Sequence, residues 1–124
     1  MELIRRMMFG SGPWNAWRRE HPEERIVLDG VVLDGAILTG IDLSDASLRG
    51  ASLHATNLMN ADLRRADLTD ANLVEADLIA ANLRGAILSR ANLREADLLG
   101  ADLAGAIYSD EDLRGALHAP SRTA

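Results

Sequence analysis

The chain has 124 residues, 48% hydrophobic but only 3% aromatic, enough for one modest domain whose core must come from leucine and alanine. A formal charge of −6, with all 13 basic residues arginine, argues against direct binding to nucleic acid or an anionic membrane. The lack of cysteine excludes a disulfide framework and a thiolate metal site and fits a reducing cytoplasm, and no apolar run approaches the ~20 residues of a membrane span.

The first segment, MELIRRMMFG, has two arginines, a short apolar patch and no A-x-A cleavage site, so it reads poorly as a signal peptide. It predicts a helical turn with Leu3, Ile4, Met7 and Met8 inward. In GSGPWNAWRREHP, Ser11 is the expected cap of a short helix that starts at Pro13 and ends near Glu20, ahead of Pro22. Trp14 and Trp17 are three apart and share a helical face. They are assigned as a lid over the region that begins at Ile26, which makes residues 1–25 an N-terminal helical cap.

From Ile26 the sequence repeats every five residues. Leucine recurs without a miss from Leu28 to Leu103, and Tyr108 and Leu113 extend the series to eighteen units. Two places before each of these except Leu113 sits a small or β-branched residue, alanine at every unit from Ala61 to Ala106. The register breaks at Glu111 and returns at Ala116. A five-residue step turns about 500° around a helix, so it leaves no apolar stripe. In one straight strand it sends successive leucines to opposite faces. Extended triplets joined by turns do bury it: each Ala–Leu pair faces one axis and the residue between them faces out. A single unit buries too little to offset the ordering of its backbone, so coils must stack.

This pattern resembles the pentapeptide-repeat family, written A-(D/N)-L-x-x, over Ile26 to Leu117. The resemblance implies an all-β fold: a right-handed quadrilateral parallel β-helix with four units per coil. Eighteen units then give about 4.5 coils, spaced at roughly 4.8 Å, with a short α-helical cap at the N-terminus. The expected organisation is cap 1–25, β-helix 26–118 and a flexible tail 119–124. The leader Trp-Asn-x-Trp-Arg is also similar to one found before other domains of this family. Eleven units carry Asp or Asn at the outward position, among them Asp62, Asn72 and Asp77, and these read as acceptors for corner amides. Glycine recurs at the corner itself, from Gly30 to Gly115, where backbone freedom is needed.

The surface gives two candidate interaction sites. Wrapping the chain at twenty stacks Thr39, Met59, Ile79 and Leu99 in one outward column, an apolar stripe at Met59, Ile79 and Leu99. The N-terminal segment, a second copy or another protein is expected to cover it. Ile87, Ile107, Tyr108 and Leu113 form the second site, at a C-terminal end followed only by HAPSRTA. Family members that dimerise through this end imply a homodimer here.

Catalytic chemistry finds little footing. His21, His54 and His118 are dispersed. The wrap brings Asp34, Ser52 and His54 together, but without a cleft or an oxyanion donor. There is no phosphate loop, dinucleotide fingerprint or metal-ligand spacing. The expectation is a non-enzymatic, cofactor-free, cytoplasmic scaffold for protein interaction, self-associating, with an unknown partner. The family also implies bacterial origin and an alternative function, DNA mimicry directed at DNA gyrase as in quinolone-resistance members. The coil region holds fifteen acidic residues against seven arginines, net −8, but the arginines stand among the acids on each face. A phosphate mimic needs a uniformly acidic face.

Overall fold

The computed structural model describes residues 2–120. Two helices come first, α1 (Glu2–Met8) and α2 (Ser11–Glu20). α2 starts two residues ahead of Pro13, and Ser11 is not its cap. Gly10 holds that position at φ 101°, where a Cβ is disfavoured, and no side chain bonds there. Pro13 falls in the first turn, where a missing N–H costs nothing. Met7 is buried and Leu3 and Ile4 pack against the core, but Met8, expected inward, is exposed. One residue along a helix is a 100° rotation, which takes Met8 off the buried side.

The repeats wind with a register of twenty residues. Val27 pairs in parallel with Ser47, Ser47 with Asp67, Asp67 with Ile87, and Ile87 with Ile107. Equivalent columns begin at Val32, Ile37 and Asp42, so each coil has four faces, numbered one to four in that order. On face one, the Asp67 N–H donates back to Ala46 O at 2.9 Å and the Leu68 N–H donates forward to Ile87 O at 2.8 Å. The turn then closes with the Ala71 N–H on Leu68 O at 3.0 Å. Such a turn demands positive φ at its third residue. Gly85 sits there at 69°, but Asp70 and Ala80 also do, at 61° and 59°.

The alanine and leucine of nearly every unit point to the axis and are buried, and Met7 and Trp14 join the same core. Outward Asp and Asn side chains accept the N–H two residues ahead, as in Asn72 with Val74 at 3.0 Å and Asp77 with Ile79 at 3.1 Å. At Ser47 and Ser52 that acceptor is missing. Aspartates one coil earlier take its place: Asp29 accepts the Arg49 N–H and Asp34 the His54 N–H, each at 3.1 Å. Inside, Thr56 replaces an alanine and donates its hydroxyl to Leu33 O at 2.9 Å.

The ladder is interrupted at one place. Ile87 pairs with Ile107 and Asp97 with Leu117, but Asn92 has no partner at Asp112. Glu111 occupies the inward position that alanine fills elsewhere. A carboxylate buried against the core without a partner is costly, so this unit leaves the ladder and Glu111 is exposed. Asp112 fastens the displaced turn by accepting the Arg90 N–H at 3.0 Å and the Ser109 N–H at 2.9 Å. In the predicted tail, Ala119 and Pro120 are exposed; residues 121–124 lie outside the described residues.

Candidate interaction surfaces

Face four of the first coil has no earlier coil to pair with, and α2 supplies side chains in its place. Asn15 Oδ1 accepts the Asp42 N–H at 2.8 Å, and Asn15 Nδ2 donates to Gly40 O at 2.9 Å. Trp14 Nε1 donates to Asp42 O at 2.7 Å. The Arg18 guanidinium donates to Asp42 O and Ser44 O, both at 2.9 Å. Three side chains thus stand where the backbone of a preceding coil would lie. Trp14 is fully buried. Trp17 is half-buried, 5.5 Å from Trp14; it stacks on His21 at 4.9 Å and lies 4.8 Å from the Arg6 guanidinium, which ties α1 to α2. Sequence reasoning singled out the tryptophans and missed Asn15 and Arg18. For Arg18 the four-residue spacing from Trp14 was the available signal, since it puts both on one helical face; Asn15, a 100° rotation from Trp14, gave no such signal.

Met59 and Ile79 are half-buried and Leu99 is 51% exposed, each at the first turn residue after face three. The hydrogen bonds of α2 go to Gly40, Asp42 and Ser44 and not down this column. At the far end, Ile107 is 56% exposed, Leu117 is exposed, and Ile87, Tyr108 and Leu113 are half-buried. Val27, Val32 and Ile37 on the first coil are exposed as well.

Asp34, Ser52 and His54 do not assemble as a triad. Ser52 Oγ donates directly to Asp34 at 2.5 Å, and the His54 ring turns away to Glu75 at 3.2 Å. Among the described residues no group of side chains suits a metal ion, and no helix is long and apolar enough to cross a membrane.

Among the described residues, five of the seven coil arginines hold carboxylates. Arg65 grips Asp45 through two nitrogens at 2.7 and 2.9 Å, across one coil, and Arg90 grips Asp70 the same way at 2.8 and 3.2 Å. Arg49 meets Asp67, Arg64 meets Asp62 and Arg84 meets Asp102. Hydrogen bonds from Arg65 and Arg90 hold Asp45 and Asp70 below the usual carboxylate range, and one from His118 does so for Asp97. At Asp62 burial pushes upward, but the bonds from Arg64 outweigh it and the net direction is down.

The family model for pentapeptide repeats matches residues 27–65, 61–98 and 71–107, with eight copies of the repeat. The chain belongs to the pentapeptide-repeat family. Among solved structures, it is similar to a pentapeptide-repeat protein from Nostoc Pcc 7120, with 33% identity, 83% of this chain and 93% of that chain covered, and a TM-score of 0.65. A pentapeptide-repeat protein of the Arabidopsis thaliana thylakoid lumen is 36% identical over 72% of this chain and 59% of that one, with a TM-score of 0.42. QnrB1, a plasmid-mediated fluoroquinolone resistance protein, is 26% identical over 78% of this chain and 55% of that one, with a TM-score of 0.22. A comparison with curated proteins returns no match. In pentapeptide-repeat terms, the aspartate bridges at Ser47 and Ser52 and the break at Glu111 are among the departures of this chain from its repeat.

Proposed function

We propose that this pentapeptide-repeat chain is a non-enzymatic scaffold of the cytoplasm. In this reading it self-associates as a homodimer through the C-terminal end of the coil and presents Met59, Ile79 and Leu99 to a protein partner. Its frame is the right-handed, four-sided coil of about 4.5 turns that the family implies. The observation that carries the reading is the inequality of the two ends. Trp14, Asn15 and Arg18 supply the missing bonds of face four of the first coil, whereas no helix among the described residues packs over Ile107 and Leu117. Exposed apolar side chains beside an open strand edge favour association with a like edge. A core filled with alanine and leucine supports a role carried by the surface, without cofactor or catalysis.

The gyrase-directed alternative draws less support. Five arginines neutralise carboxylates along the coil, so the acid is broken up where a phosphate mimic needs it continuous. The test of the main reading is light scattering after size exclusion. The native chain is expected at twice the monomer mass at tens of micromolar, and an Ile107→Ser, Leu117→Ser variant at the monomer mass. A native chain that stays monomeric removes the self-association reading.

A further inference from the structure

The unit that leaves the ladder at Glu111 opens a cleft of about 380 Å³ between face two of the fourth coil and the displaced turn. Arg90, Asn92, Arg94, Glu111, Asp112 and Arg114 line it. Two backbone groups of the strand edge are left over. In regular coils the counterpart of Leu93 donates its N–H to the next coil, as Leu73 does to Asn92 O at 2.8 Å. The counterpart of Ala91 accepts from it, as Ala71 O does from the Asn92 N–H at 2.9 Å. Among the described residues the Leu93 N–H and Ala91 O have no such partner, because the Asp112 N–H turns to Ser109 O at 3.1 Å. The charges at this place are also distinctive. Among the described residues, Arg94 and Arg114 are the two coil arginines outside any ion pair, and both border the cleft. The stem of Arg94 is seated against Gly115, where an added Cβ would meet its Cγ at 3.3 Å.

The geometry points to a docking site for an extended acidic peptide segment of a partner protein. One peptide residue lies opposite Asn92, donating its N–H to Ala91 O and accepting the Leu93 N–H. That is strand addition at a vacated rung. A neighbouring carboxylate of the peptide sits between Arg94 and Arg114, where guanidinium groups pair well with carboxylates. The charge favours an acidic occupant: among the described residues Arg94 and Arg114 are left unpaired at the vacated rung, while of the two lining carboxylates Asp112 is already engaged by the Arg90 and Ser109 N–H groups. Glu111 keeps the rung open, since alanine there would let the chain's own unit close it. This deepens the scaffold reading and rests on it for the idea that the surface binds protein.

The test titrates the full chain into a fluorescein-labelled Val-Glu-Val-Glu-Val-Glu peptide, with Val-Lys-Val-Lys-Val-Lys as control, and follows the Leu93 amide by hydrogen exchange. Expected are saturable binding of the glutamate peptide alone, an unprotected Leu93 amide without peptide, and protection with it. Arg94→Ala with Arg114→Ala should weaken binding by about tenfold or more. Glu111→Ala should abolish binding and protect Leu93 without any peptide. Equal binding of the lysine peptide, unchanged binding in the Glu111→Ala variant, or no binding of the glutamate peptide overturns the proposal. So does Leu93 protection that grows with protein concentration alone, which would give the cleft to a second copy. Light scattering on the same samples reports self-association separately, so failure of the peptide site and failure of the dimer are told apart.

Discussion

Ala80 holds φ 59° with nothing but a methyl group to place there. A left-handed conformation costs an L-residue about 1–2 kcal/mol, which glycine avoids. Ala80→Gly is therefore expected to stabilise the coil by up to about 1 kcal/mol, the gain being reduced by the freer unfolded chain. Urea unfolding reads it directly, and a lower midpoint would contradict this account of the corner. Asn15→Ala acts in the opposite sense. It strips the Asp42 N–H and Gly40 O of partners, for a loss of about 1–3 kcal/mol. Acid should also weaken the fold. Asp45, Asp70 and Asp97 have folded pKa values below their unfolded ones. Their contribution is present above the ordinary carboxylate pKa near ~3.9 and disappears as pH falls through the folded values. The urea midpoint should hold from pH 7 to pH 5 and drop toward pH 3. An Arg65→Gln, Arg90→Gln variant should lose less over the same range, and the difference should be small because these pairs are exposed.

A repeat unit is stable only through its neighbours, so the displaced unit at 111–115 tests the rule. Its sequence, EDLRG, departs from the motif at one inward residue. Glu111→Ala is expected to restore pairing of Asn92 with Asp112 and to free the Asp112 carboxylate for the Arg114 N–H. Two recovered ladder bonds at about 1 kcal/mol each should raise stability by about 2 kcal/mol. Thermal unfolding measures the gain. A variant that melts at or below the native temperature would show that something other than the cost of burying the Glu111 carboxylate holds the unit away. The helix α2 is the other irregular element, and it works because its side chains reproduce the donors and acceptors of a strand at the spacing face four requires.

Across the whole molecule the interior is uniform and the surface is not. Met59→Ser, Ile79→Ser, Leu99→Ser changes one outward column and no ladder bond. The triple variant should keep the native melting temperature within a few degrees and keep the native mass in solution. In a pull-down compared with the native chain it should lose a protein that the native chain retains. Gyrase subunits held equally by both would instead favour the mimic reading. A drop to monomer mass would make the stripe the self-association surface in place of the C-terminal end.

The coil, the five-residue unit, the inward Ala and Leu, the outward acceptors and the glycine corners are all written in the order of residues along the chain. All of these come from local rules repeated eighteen times, so that one unit's chemistry predicts the next. The break was legible too, as a glutamate in an alanine's place. What takes over where repetition stops is set by contacts between coils. No local rule states that Asn15 and Arg18 stand in for a coil, that Asp29 and Asp34 reach across to amides twenty residues on, or that His54 turns to Glu75 and away from Asp34. Those choices depend on which side chains the stacking brings within bonding distance, and distances across coils are fixed only when the coil has closed.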